Sequence, residues 1–156
     1  MMRQPISILV YPVRLCDEGW VYMLLRRVAN PNLGLEGFWQ GVTGGLEEGE
    51  DLTQAARREL AEETGFVPFH LEKIEYTYSF PIQDEWREMY PLEVNEIVEH
   101  VFIAFIDGNT EPTLSYEHDS WEWFGVGLAL RKLKYPGNIE ALKQCADLLE
   151  SRLKSK

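Results

Sequence analysis

The chain has 156 residues, enough to bury one core of ordinary size and too few for two, so a single domain over residues 1–156 is expected. Hydrophobic residues at 45% and charged residues at 26% exclude a disordered chain, and no segment has the apolar length of a bilayer crossing. Fifteen Lys+Arg against 26 Asp+Glu give a formal charge of −11, which excludes a general electrostatic footprint for long nucleic acid. An anionic ligand would then need local cations, and a bound metal ion is the obvious source.

The first apolar run, Ile6 to Val13, is short, and charged residues follow it before any cleavage signature, so no secretory signal is expected. Cys16 and Cys145 have neither metal-ligand spacing nor the number of a disulfide framework. A cytoplasmic protein that touches no membrane is the expectation; a homodimer is allowed by the sequence.

In chain order, Ile6 to Val13 and Val21 to Val28 are β-branched-rich runs on either side of a turn-like Cys16-Asp17-Glu18-Gly19, and they read as two strands. Val28 to Gly37 reads as a loop, and Phe38, Trp39 and Val42 as a short strand leading to Thr43-Gly44-Gly45. Leu52 to Thr64 has good helix formers throughout, acids at Glu50 and Asp51 in front and Gly65 behind, the signature of a helix. Leu71 to Phe80 and Ile97 to Ile106 read as strands joined by a polar connection from Pro81 to Asn95. Glu122 to Val126 reads as a last short strand. Asn138 to Leu153 repeats apolar residues at Ile139, Leu142, Ala146, Leu149 and Leu153, a helical spacing. Strands, helix, strands, helix is an α+β order, and no G-x-G-x-x-G follows the first strand, so a dinucleotide-binding fold has little support.

The helix over Leu52 to Thr64 carries the chemistry. Glu59, Glu62 and Glu63 stand at i, i+3 and i+4 and gather on one face. Leu52, Ala55 and Ala56 continue that stripe backwards, so the glutamates are expected to extend an inward face, with Gln54, Arg57, Arg58 and Ala61 opposite. Carboxylates on a packed face face desolvation and mutual repulsion, which raise their pKa values or demand a cation. Hard oxygen ligands of this kind suit Mg²⁺, with Mn²⁺ able to substitute. Gly44, Gly45 and Gly49 ahead of the helix would permit a tight backbone and close approach of a phosphate.

Gly44, Glu50, Arg58, Glu59, Leu60, Glu62, Glu63, Gly65 and Phe66 fill, in order, every fixed position of G-x5-E-x7-R-E-U-x-E-E-x-G-U, where U is a bulky apolar residue. The chain therefore resembles the Nudix hydrolases. That resemblance implies an α/β/α sandwich with a mixed sheet. It also implies metal ligands at Glu59, Glu62 and Glu63, with Glu50, Arg58 and Gly65 as structural parts of the box.

Outside the box, Pro5 to Val10, Met23 to Arg27, Phe38 to Gly44 and Tyr116-Glu117-His118 are similar to the bacterial dihydroneopterin triphosphate and dATP pyrophosphatase branch. This implies that Glu117 completes the metal site, that Glu62 or Glu117 takes the proton from water, and that Arg26, Thr43 and Gly44 meet substrate. Strand alternation sends Arg26 and Arg27 to opposite faces without deciding which reaches the site; the resemblance favours Arg26. Tyr135-Pro136-Gly137-Asn138 departs from that branch and is similar to the asymmetric diadenosine tetraphosphate hydrolases, and it adds Tyr135 and Asn138 as candidate substrate contacts. Tyr135 and Trp86, in loops, are the aromatic residues expected to stack a ring, the other aromatics being expected in the core. His70, His100 and His118 are given no role.

The expected partner is a small nucleotide or pterin triphosphate, cleaved to a monophosphate and pyrophosphate. A dinucleoside polyphosphate hydrolase and a catalytically silent ligand sensor are the alternatives.

Overall fold

The computed structural model describes residues 3–34 and 36–154. Leu35, within the loop expected over Val28 to Gly37, and the ends of the expected domain, 1–2 and 155–156, lie outside the described residues.

Strand β1 (Ile6–Cys16) is the centre of the sheet. Its first half pairs antiparallel with β4 (Val42–Gly45), its second half with β2 (Gly19–Arg27), and its other edge runs parallel to β6 (Glu96–Phe105). Being covered on both faces, β1 is a nearly continuous apolar run from Ile8 to Val13, not an alternating one. β2 also pairs with β3 (Phe38–Gln40) and β7 (His118–Gly125), and β5 (His70–Pro81) closes the far edge against β6. The principal order is β3-β2-β1-β6-β5, a seven-stranded mixed sheet.

Helix α1 (Leu52–Thr64) covers one face. Its start is fixed by a capping box, in which Gln54 N–H donates to Asp51 Oδ1 at 2.8 Å and the Gln54 side chain accepts from Asp51 N–H at 2.9 Å. It ends where Gly65 turns to φ 73°, and the Gly65 N–H donates to Ala61 O at 2.9 Å. Ala55, Ala56 and Leu60 pack there on Ile8, Val10, Met23, Leu25, Phe102 and Ala104. The opposite face meets α2 (Val126–Lys132) and α3 (Pro136–Lys154). Ala141, Leu142, Cys145, Ala146 and Leu149 of α3 meet Leu9, Tyr11, Leu24, Val101 and Ile103 there. The result is the α/β/α sandwich with a mixed sheet that the sequence led us to expect.

Three differences have physical causes. β7 begins at His118, four residues before its expected start, because its first residues are polar side chains paired with β2 and carry no apolar alternation. α2 was not anticipated, since Gly125 at its cap and Gly127 within its seven residues conceal its period. The connection from Pro81 to Asn95 contains a 3₁₀ turn, Asp84–Met89. No described helix is long and apolar enough to cross a membrane.

The capping box and the Leu60 contact differ in scale. Asp51→Ala is expected to lower unfolding free energy by about 1 kcal/mol, and Leu60→Ala, from a fully buried site, by about 2–5 kcal/mol. Urea denaturation of both variants checks the ranking, which fails if the cap proves the more costly loss.

Candidate metal and phosphate centre

The loop before α1 is held to the helix by one guanidinium. Arg58 Nε donates to Glu50 Oε2 at 2.7 Å and Nη2 to Glu50 Oε1 at 3.0 Å, a two-pronged pair. Nη2 also donates to Gly45 O at 2.9 Å, while Glu50 Oε1 accepts from Glu47 N–H at 2.9 Å. These bonds fasten the turn from Gly45 to Glu50 onto the second turn of α1. The Arg58 guanidinium holds the Glu50 carboxyl below the usual carboxylate range.

Gly44 is next to that turn because nothing larger fits. A Cβ there would lie 2.2 Å from Glu59 Cδ and 2.4 Å from Glu59 Oε1, so the Glu59 carboxylate rests directly on the β4 backbone. Arg58 Nη1 donates to Glu59 Oε1 at 2.7 Å and to Glu62 Oε2 at 3.3 Å. Arg58 therefore lies on the same side as the glutamates, not opposite them as the stripe suggested. Leu60 takes the inward place instead.

The three box glutamates are not equivalent. Glu63 is 4% exposed, and its Oε2 has no hydrogen-bond partner among the described residues. Burial pushes its carboxyl up to about 9, reinforced by the negative charges of Glu59 and Glu117. Burial also raises Glu59, against the pull of Arg58. Glu62, by contrast, keeps 57% of its side chain in solvent and does not extend the packed face. Glu117, just ahead of β7, is half-buried and faces Glu59 and Glu63 from the other side, with Arg27 Nη1 3.8 Å from its Oε2.

Whether these residues suit a divalent cation follows from the donor set. An orphaned, buried carboxylate oxygen, two more carboxylates charged against it and a glycine cradle supply hard oxygens and excess negative charge, so the group fits. The ligand arrangement is not preassembled: among the described residues no three His, Cys, Asp or Glu side chains stand in metal-ligating geometry. Arg58 draws Glu59 Oε1 and Glu62 Oε2 toward itself, and a cation would compete with it for them.

Among the remaining expected contacts, Arg26, Thr43 and Asn138 lie on the other face. β2 alternates, with Met23 and Leu25 toward α1 and Tyr22 and Leu24 toward α3. Arg27 follows the first pair and reaches Glu117. Arg26 follows the second and donates to Asp119 Oδ2 at 2.9 Å. Sequence reasoning singled out Arg26 and passed over Arg27. Only the side on which β2 meets α1 separates the two, and that is a tertiary fact. Thr43 alternates with buried Val42 and so turns to the α3 side, where Asn138, bonded to Tyr11 and Tyr78, also stands. Tyr135 is partly exposed and edge-on to Phe38, ring centroids 5.3 Å apart, with Lys134 Nζ 5.5 Å from its ring centre. Trp86 is half-buried in the 3₁₀ turn. Thr43 and Gly44 are thus neighbours facing opposite ways, Gly44 toward the carboxylates and Thr43 toward the face that holds Asn138.

Comparison with known proteins identifies the family and the fold. The model of the NUDIX domain matches residues 4–145. A dihydroneopterin triphosphate diphosphatase of Escherichia coli K12 is 33% identical over 146 residues, covering 91% of this chain and 92% of that protein. The solved E. coli dihydroneopterin triphosphate pyrophosphohydrolase superposes with a TM-score of 0.74 at 28% identity, over 92% of this chain and 96% of that one. A Myxococcus xanthus protein named octanoyltransferase is 39% identical over 128 residues, but these are 81% of this chain and only 32% of that protein's length, so the likeness is to a segment of it. With a family model matched along nearly its whole length and a relative matched end to end, the chain belongs to the Nudix hydrolase family.

Proposed function

We propose that this protein is a Mg²⁺-dependent pyrophosphohydrolase, with Mn²⁺ able to substitute, that cleaves a phosphoanhydride bond in a small triphosphate and releases a monophosphate and pyrophosphate. The observation that carries the reading is the buried Glu63 carboxylate, its Oε2 without a partner, among Glu59, Glu117 and the Gly44 backbone. Glu59, Glu63 and Glu117 would hold the cation, with Glu62 at the solvent side. When bound, such an ion offsets polyphosphate charge and acidifies water. The chain's own groups do the rest. Gly44 lets a phosphate approach the backbone. Arg27, beside Glu117, adds a guanidinium for phosphate oxygens. Glu62, exposed, or Glu117 accepts the proton from the attacking water.

A pterin or nucleoside triphosphate is the favoured substrate class. The E. coli relative's name points to dihydroneopterin triphosphate, and the aromatic pair Tyr135 and Phe38, with Lys134, suits a flat ring. Thr43, Arg26 and Asn138 are the further polar groups proposed to meet substrate. Exposed Cys16 and buried Cys145 suit a reducing cytoplasm.

Dihydroneopterin triphosphate, the dNTPs and diadenosine tetraphosphate, each assayed with Mg²⁺ and with products identified, test the reading. Pyrophosphate release from a triphosphate supports it; cleavage of diadenosine tetraphosphate alone replaces it with the dinucleotide reading, and turnover of none with the silent sensor. Glu63→Gln should lower Mg²⁺-dependent turnover by about 100-fold or more, as should Glu62→Gln if Glu62 is the base. Full turnover in Glu63→Gln would remove Glu63 from the site.

A pH dependence follows from the same carboxyl. Glu63 titrates near 9 when folded against an ordinary 4.5. Between those values the folded state holds the extra proton, so metal-free stability falls as pH rises through that window. Thermal unfolding in EDTA should show a Tm that declines from about pH 5 to pH 9, and Mg²⁺ should raise Tm more at pH 8 than at pH 6. Glu63→Gln should flatten both trends; an unchanged slope in that variant would assign the effect elsewhere.

A further inference from the structure

Glu99 lies outside the carboxylate centre, on the face toward α3, and is 4% exposed, with no cation among its hydrogen-bond partners in the described residues. Its neighbours form one rung of the sheet: Ser7 of β1 pairs with Glu99 of β6, and Glu99 with Tyr78 of β5. Ser7 Oγ lies 2.9 Å from Glu99 Oε2 and 3.0 Å from Gly44 O. The Tyr78 hydroxyl donates to Glu99 Oε1 and accepts from Asn138 Nδ2 at 2.8 Å.

Counting protons fixes the direction of this chain. Ser7 has one hydroxyl hydrogen and two oxygen neighbours, of which Gly44 O can only accept. If Ser7 donated to a charged Glu99, its oxygen would face the Gly44 carbonyl at 3.0 Å with no hydrogen between them. The arrangement closes when Ser7 donates to Gly44 O and Glu99 Oε2 carries a proton that it donates to Ser7. We propose that Glu99, as a neutral carboxylic acid, is a positioning residue for the reaction put forward above, linking Asn138 through Tyr78 and Ser7 to the Gly44 backbone by hydrogen bonds that all run one way. This rests on the proposed function for its catalytic consequence, while the hydrogen-bond order stands on geometry alone.

Both ends of the chain are without slack. At one, Gly44 lies against Glu59, and a Cβ on it would collide with that carboxylate. At the other, a Cβ on Gly137 would lie 2.3 Å from Tyr78 Cε2, so the ring is pressed on the first turn of α3. Tyr11 Oη donates to Asn138 O at 2.8 Å and holds the same residue by its backbone. Because Tyr78 spends its hydrogen on Glu99, Asn138 must turn Nδ2 toward it, which leaves Oδ1 as the acceptor available to a ligand N–H. Burial of Glu99 favours the uncharged form and agrees with the count.

Glutamine reproduces a neutral acid here, since its oxygen accepts from Tyr78 and its amide donates to Ser7. Glu99→Gln should therefore keep kcat and KM near those of the unaltered protein. Glu99→Ala, checked for folding by its thermal transition, should lose about tenfold to 100-fold in kcat/KM, the scale of a slight misplacement of reacting groups. Infrared difference spectra at neutral pH between unaltered protein and Glu99→Gln should show a protonated-carboxyl band, and this readout needs no turnover. Absence of that band overturns the proposal, as does Glu99→Gln losing as much as Glu99→Ala, or a folded Glu99→Ala with unchanged kcat/KM. A protein that shows the band and hydrolyses none of the substrates retains the neutral acid and sinks the proposed function instead.

Discussion

Three carboxylates converge around one that is cut off from water, and much of this structure serves to keep them there. Glu63 is buried with an unpartnered oxygen, Glu59 is pressed onto the β4 backbone, and Glu117 closes in from the start of β7. Left alone, such a group is destabilised by desolvation and repulsion, so the fold accepts a local cost that an incoming cation would relieve. Scaffolds of high stability tolerate such sites, and here the tolerance comes from two apolar layers that sandwich the sheet.

Arg58 mediates between those demands. Its bonds to Glu50 and to Gly45 O fix the loop, and its bond to Glu59 offsets part of the negative charge. One side chain is thereby both a structural fastener and a placeholder for positive charge. β4 has a comparable double role. Gly44 turns to the carboxylates and Thr43 to the opposite face, so a strand of four residues joins the carboxylate side to the side where Asn138 stands.

How much of this was legible in the sequence varies with the range of the interaction. α1 spans the residues expected, Leu52 to Thr64, because its determinants are local: Asp51 and Gln54 at one end, Gly65 at the other. The glutamate trio was also visible as a pattern, yet its division was not. Spacing placed Glu59, Glu62 and Glu63 together, whereas the packing of α1 on the sheet leaves Glu62 in solvent and brings Leu60 inward. A spacing of three and four residues defines a face only to within a broad arc, and packing chooses the line through it. Arg27 and Glu99, in the roles proposed above, were not singled out from the sequence for a related reason. Each owes its place to partners more than 20 residues away, Glu117 for one and Ser7, Tyr78 and Gly44 for the other, and no local signal marks such a residue.

The central claim is that Glu63 stays protonated without metal and gives up its proton when a divalent ion enters. Isothermal titration of Mg²⁺ at pH 7.5, repeated in buffers of different ionisation enthalpy, counts the protons displaced. About one proton released per ion bound is the predicted result, falling toward zero in Glu63→Gln. Binding with no proton release, or a release that Glu63→Gln leaves unchanged, would contradict it.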